Sequence, residues 1–159
     1  MDVKIRPARP SDAAALTDIA MRSKQSNGYD DTFMAACADE LRVTPDDLAA
    51  HLYWVAETTV LCGFVALQIT ADTGKVASFF IAPDWQRRGI GRLLWATVRT
   101  AAIQHELTAL TLDADPEAKS FYAALGFTTI GRVPSGSIPG RSLPQMTLTL
   151  STKPKAPQC

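Results

Sequence analysis

The stretch Gln86-Arg87-Arg88-Gly89-Ile90-Gly91-Arg92 combines residue types and a spacing that suit the binding of an anion. It lies between a run rich in valine and phenylalanine and a segment of helical period, so it falls at a strand-to-helix junction. The first turn of a helix carries unpaired N–H groups and the positive end of a dipole, which together attract anions. Glycine at 89 and 91 removes side chains that would hold a pyrophosphate away from those N–H groups, and Arg87, Arg88 and Arg92 add positive charge there. A Rossmann site requires G-x-G-x-x-G after the first strand, and a P-loop requires G-x-x-x-x-G-K-[ST]; neither occurs. Taken alone, the turn reads as an anion site or equally as a solvated arginine loop.

The surrounding elements decide where such a turn would sit. Val3 to Pro7 alternates apolar and charged residues, as a strand does. Ser11 is placed to cap a helix carrying Leu16, Ile19 and Ala20 and running to about Lys24, where Asn27-Gly28 ends it. Asp31 to Leu41 reads as a second helix, and Thr44-Pro45-Asp46-Asp47 as an N-cap, a proline at the first helical position and an acidic first turn. Tyr53–Glu57, Val60–Thr70 and Lys75–Ala82 are β-rich and predict three strands in hairpin succession, with Asp72-Thr73-Gly74 as a turn. A long helix follows Pro83, with Ile90, Leu93, Leu94, Val98, Ala101 and Ala102 as one apolar stripe. Thr108–Leu112 predicts a strand, Asp115-Pro116 a helix start, and Gly126 its cap. Phe127–Val133 and Gln145–Leu150 close the pattern as strands joined by a Pro/Gly/Ser-rich loop. The order β-α-α-β-β-β-α-β-α-β-β predicts one mixed α/β domain over residues 1–150, with 151–159 as a disordered tail.

Composition narrows the function classes. Sixteen basic residues balance sixteen acidic ones, which excludes the broad basic surface of a nucleic-acid binder. No apolar run approaches the roughly 18 residues that span a membrane, and Met1–Arg6 has no signal-peptide core. Cys37, Cys62 and Cys159 are odd in number and lack C-x-x-C spacing, so reduced thiols in a cytoplasmic protein are expected, with no metal site.

Two segments carry a family resemblance. Ile81-Ala82-Pro83-Asp84-Trp85-Gln86-Arg87-Arg88-Gly89-Ile90-Gly91 resembles the signature of GNAT acyltransferases, a strand ending in Val/Ile-x-Pro followed by Q/R-x-x-G-x-G/A. Ala118-Lys119-Ser120-Phe121-Tyr122-Ala123-Ala124-Leu125-Gly126-Phe127 resembles the second, A-x-x-F-Y-x-x-x-G-F, and the two stand in the family's order. The resemblance implies a mixed sheet whose fourth and fifth strands splay apart to admit the pantetheine arm of acetyl-CoA, the co-substrate. It places pantetheine beside Phe80 and Ile81, the pyrophosphate on the turn from Gln86 to Arg92 (Gln86, Arg87, Arg88, Gly89, Ile90, Gly91, Arg92), and Ser120 near the cofactor. Since strand neighbours face opposite ways, at least one of Phe79 and Phe80 is expected in the core.

Tyr122 matches the tyrosine that in many members protonates or hydrogen-bonds the departing sulfur. Phenol and thiol pKa values of ~10 and ~8.5 make that transfer uphill by only ~2 kcal/mol. The family's acceptor side corresponds here to the segments around Tyr29 and Asp30 and around Arg141, which are expected to meet an amine substrate. Relatives often carry a basic glutamate on the fourth strand, yet Lys75–Ile81 has no carboxylate. Glu57 and His51 remain as candidates for a base, and Asp113 and Asp115 replace an asparagine that often touches pantetheine. Acetyl transfer to a primary amine is the leading expectation, with a longer acyl group or a non-catalytic acyl-CoA sensor as rivals. A homodimer using an apolar Leu148–Leu150 edge is also expected.

Overall fold

The computed structural model describes residues 2–150, so the expected tail disorder and Cys159 lie outside the described residues. Seven strands form one sheet: β1 (Lys4–Pro7), β2 (Leu52–Glu57), β3 (Leu61–Thr70), β4 (Thr73–Ile81), β5 (Ala109–Asp113), β6 (Thr128–Pro134) and β7 (Ser142–Thr149). Their spatial order is β1-β2-β3-β4-β5-β7-β6, with β4–β5 parallel and the other pairs antiparallel. Helices α1 (Ala13–Gln25), α2 (Asp31–Leu41), α3 (Pro45–Ala50), α4 (Ile90–Gln104) and α5 (Lys119–Ala124) complete the expected mixed α/β class.

Strand β3 shows why helices cover both faces. Cys62 to Leu67 is buried without a break, the near-continuous apolar run of a strand packed on two sides. Phe64 and Ala66 meet Leu16, Ile19 and Ala20 of α1, while Val65 and Leu67 meet Ile90, Leu94 and Val98 of α4. Each such large side chain contributes roughly 1.5–3 kcal/mol on full burial. The buried stripe of α4 is Ile90, Leu94, Val98, Ala101 and Ala102; Leu93, expected on it, is 45% exposed because it projects off that stripe.

Three local expectations are corrected. Ser11 does not cap α1: a 3₁₀ turn at Pro10–Asp12 precedes it, and Asp12 accepts from the Arg9 N–H at 2.7 Å. Gly74 is a strand residue rather than a turn residue, because the hairpin closes at the Thr70–Thr73 pair with Ala71 at φ 55°. A Cβ on Gly74 would lie 2.8–2.9 Å from Leu67, Leu107 and Leu110, so that position admits no side chain. Strand β7 begins at Ser142 and contains the buried Pro144. Beyond the last β5 pair, Asp113–Gln145, the Pro144 carbonyl still accepts from the Ala114 N–H at 2.9 Å, so the proline forgoes only the return bond at the ladder's end. Finally, β7 lies between β5 and β6, which makes β6 the outer strand, and β6 covers β7 only up to Thr147, short of Leu148–Leu150. Among the described residues no helix is long and apolar enough to cross a membrane.

The feature that positions the site is the parting of β4 from β5. They pair only at Thr73–Ala109, Gly74–Leu110 and Lys75–Thr111. From Val76 to Ile81, β4 keeps β3 on one side and has no strand on the other. The register shifts at that parting: Ala66 faces Ser78 and Leu67 faces Val76, leaving Ala77 as a bulge that bends β4.

Candidate active site

A cavity of about 730 Å³ fills the gap between the splayed strands. Val76 to Ile81 form one wall and Leu112, Asp113 and Asp115 the other. Residues of α4 and α5 on one sheet face, and of α1 and α2 on the other, also line it, so the cavity runs through the sheet.

At the α4 side lies the turn Gln86–Arg92. Gln86 Nε2 donates to the Ile81 carbonyl at 3.3 Å, tying the turn to the end of β4. Arg87 has φ 63° and Gly89 φ 81°, with Arg88 between them at negative φ. This alternation brings successive N–H groups into a concave array of the kind that binds anions. A non-glycine residue in the left-handed region is costly, so the conformation at Arg87 is strain held by the surrounding turn. The first helical bond of α4 runs from the Leu93 N–H to the Gly89 carbonyl. Among the described residues the N–H groups from Arg87 to Arg92 have no acceptor. Gly91 leaves the approach open, with Phe121 and Phe79 3.4 and 3.9 Å from where its Cβ would stand. Gln86, Arg87, Gly89, Ile90, Gly91 and Arg92 line the cavity; the Arg88 side chain does not, since its guanidinium lies 5.0 Å over the Trp85 ring.

Phe80, Ile81 and Ser120 also line the cavity. Phe79 and Phe80 are both half-buried and face opposite ways, as the strand period requires. Phe79 packs edge-on to Phe121 and Tyr122 at 5.5 and 6.2 Å, and Phe80 lies 5.8 Å from Phe64 on the α1 side.

Tyr122 is 8% exposed, with its ring held edge-on by Phe79, Phe121 and Phe127. Its hydroxyl has no protein partner among the described residues, yet it is not sealed off, because Tyr122 lines the cavity. Burial, followed by the charge of Asp115, pushes the phenol well above its ordinary pKa. Tyr122 therefore stays protonated and can donate but not accept a proton at neutral pH.

On the α1–α2 side three distant segments meet, around Lys24–Phe33, Asp115 and Arg141. Asp115 binds Lys24 Nζ at 2.9 Å and accepts from the Tyr29 hydroxyl at 2.9 Å. That hydroxyl in turn accepts from Arg141 Nη2 at 2.8 Å. Tyr29 and Phe33 stack at 4.1 Å, and both cations lie over their faces at 5.0 to 5.9 Å. Burial resists ionisation of Asp115, but the Lys24 bond, the Glu117 N–H and the Tyr29 hydroxyl outweigh it and hold its pKa below the usual value. Burial and the Asp115 contact push the Tyr29 phenol up to about 12.

Arg141 and the newly found Lys24 line the cavity, whereas Tyr29 stands behind them. Asp30 does not line the cavity; its carboxylate accepts from the Phe33 N–H at 2.8 Å and caps α2. The sequence marked Asp115 as an N-cap and as a replacement for the asparagine of relatives, and it does occupy the N-cap position through the Glu117 N–H at 2.9 Å.

Neither candidate base lines the cavity. Glu57 is held by Arg6, which also binds Asp12, and the Arg6 bond keeps its carboxyl below the ordinary value. Among the described residues no group of three or more His, Cys, Asp or Glu could hold a metal ion.

The splayed strands, the anion turn and the tyrosine on α5 coincide with a family comparison. A model of the acetyltransferase (GNAT) domain matches residues 18–150. The chain belongs to the GNAT family. An uncharacterized N-acetyltransferase, ycf52, of Gracilaria tenuistipitata var. liui is 36% identical over 84 residues, 51% of this chain and 45% of that protein. The chain thus spans about half the length of the curated relatives it matches. The GNAT fold recurs in the PaiA N-acetyltransferase of Thermoplasma acidophilum in complex with coenzyme A, at TM-score 0.79, 17% identity and coverage of 94% and 100% of the two chains. The yncA protein of Salmonella typhimurium, a structure with its cofactor acetyl-CoA, matches at TM-score 0.68 and 22% identity over 100% of both chains.

Proposed function

We propose that this GNAT protein transfers an acetyl group from acetyl-CoA to a primary amine of a small molecule or peptide, by direct attack in a ternary complex. The observation that carries the reading is one cavity through the sheet with unpaired N–H groups at its α4 side and a protonated phenol in its wall.

The pyrophosphate would rest on the N–H array between Arg87 and Arg92, with Arg87 and Arg92 adding charge. Pantetheine is an amide chain, so it can take strand-type hydrogen bonds from the free edge of β4 near Phe80 and Ile81. That arrangement brings the thioester towards Tyr122. The amine nitrogen bonds to the carbonyl carbon, the C–S bond breaks, the sulfur takes its proton from the Tyr122 hydroxyl, and the phenolate regains a proton from water in the cavity. The proton lost from the amine passes to water, since no carboxylate stands on β4. Access from the α1–α2 side lets acceptor and cofactor occupy the cavity together, which a ternary mechanism needs.

A thiol-release assay with acetyl-CoA against polyamines, amino acids, aminoglycosides and peptides tests the reading. Turnover with acetyl-CoA supports it. Turnover only with longer acyl-CoA, or binding without release, would replace it with a long-chain transferase or a sensor.

A further inference from the structure

The α1–α2 side of the cavity carries an unbalanced charge. Lys24 and Arg141 are 13% and 17% exposed at their side chains, and they share one carboxylate, Asp115, at 2.9 and 3.6 Å. Tyr29, which links Arg141 to Asp115, is neutral because its phenol is pushed up to about 12. Two cations and one carboxylate leave one positive charge in a half-buried wall. The other acids lining the cavity do not cancel it. Asp113 pairs with Lys75 at 3.3 Å, and Glu40 and Glu117 are exposed residues whose charge water screens.

Arg141 is also incompletely used. Only its Nη2 has a hydrogen-bond acceptor among the described residues, so the N–H groups of Nε and Nη1 remain as free donors at the cavity wall. The guanidinium is held against the stacked Tyr29–Phe33 pair at 5.3 and 5.0 Å, which fixes its plane before a ligand arrives.

From this geometry we infer that the acceptor is an amine that carries a carboxylate, bound by the free N–H donors of Arg141 with Lys24 beside it. The inference rests on the acetyl-transfer reading for the role of the ligand. A single surplus charge and the free N–H donors of Arg141 match a monoanionic carboxylate better than a dianionic phosphate. The same wall disfavours polyamines and aminoglycosides, whose added cationic charge would face Lys24 and Arg141.

The test compares α-amino acids and short ω-amino acids with their own carboxamides, which keep the amine and lose the negative charge. Thiol release gives kcat/KM, and calorimetry on the CoA-bound protein gives affinity without turnover. Acids are expected to exceed their amides about tenfold or more in both measurements, as expected for a charge-assisted pair. Arg141→Gln should bring that ratio close to one, and Arg141→Lys should restore part of it. Amides equal to or better than acids in the unaltered protein would overturn the inference while leaving acetyl transfer intact. Acids that bind in an Arg141-dependent way without thiol release would support the carboxylate site and refute acetyl transfer. Acids that neither bind nor react would overturn the site.

Discussion

Replacing Tyr122 with phenylalanine separates the chemical role of the hydroxyl from the packing role of the ring. The ring is wedged edge-on among Phe79, Phe121 and Phe127, with centroids 5.3 to 6.2 Å away, and Phe keeps every one of those contacts. The hydroxyl has no protein partner among the described residues, so its loss orphans no buried group. A stability change within about 0.5 kcal/mol follows, the range for a substitution that breaks no named interaction. Catalysis should respond very differently. A positioned general acid contributes about 10²- to 10⁴-fold, or roughly 2.7–5.4 kcal/mol of barrier. Burial raises the phenol further above a thiol, so the proton moves late and the hydroxyl acts first as a hydrogen-bond donor to developing thiolate. Stopped-time thiol release should therefore show kcat reduced at least tenfold, with acetyl-CoA affinity by calorimetry and Tm nearly unchanged. Wild-type turnover in Tyr122→Phe would return this residue to the core. A joint loss of Tm and cofactor affinity would show that the ring contacts had been misjudged.

Gly89→Asp should weaken acetyl-CoA binding about 100-fold by calorimetry, since a charge roughly 5 Å from a phosphate at an effective dielectric near 20 costs about 3 kcal/mol. Open space around the Gly89 Cβ position limits the folding cost to backbone strain of about 1 kcal/mol. The pH–rate profile should rise about tenfold per unit towards the pKa of each acceptor, and Glu57→Gln should alter kcat less than ~10-fold because Arg6 already occupies that carboxylate. A fixed inflection lost in Glu57→Gln would contradict this. Asp115→Asn leaves Lys24 and Arg141 without their shared anion and should cost about 1–3 kcal/mol at neutral pH, read by denaturant titration. The folded pKa of Asp115 lies below 3.8, so its contribution is complete above that value and disappears as pH falls through the folded pKa. The gap between Asp115→Asn and wild type should accordingly close in acid and persist at pH 7.

Elements with their own local signals were legible in the sequence. Asp31–Leu41 emerged with its predicted bounds, capped by Asp30, because cap and apolar spacing agree within eleven residues. The turn from Gln86 to Arg92 was also local, and its glycines predicted open backbone at a helix start. Gly74 misled for the opposite reason: glycine marks a turn by default, but here three leucines from β3, β5 and the α4–β5 connection exclude a side chain. Pro144 hid the first three residues of β7, Ser142 to Pro144, since only the end of the β5 ladder makes a proline tolerable there. The α1–α2 wall of the cavity was the least legible part. Lys24–Asp115 and Tyr29–Arg141 join residues 91 and 112 positions apart, and neither cap residues nor periodicity encode such a meeting. Glu57 was only a candidate base from its position at a strand end, and the pairing of β1 with β2 brings it to Arg6.

The central claim is that an acetyl group leaves CoA for an amine in this cavity. Mass spectrometry of a reaction with acetyl-CoA carrying an isotopically labelled acetyl group measures this directly, alongside free thiol. The account predicts labelled N-acetyl product and CoA thiol in equal amounts, for at least one primary amine, with both lost together in Tyr122→Phe. Acetyl-CoA that binds tightly yet yields no labelled amine across the acceptor panel, or thiol release without a labelled product, would contradict it.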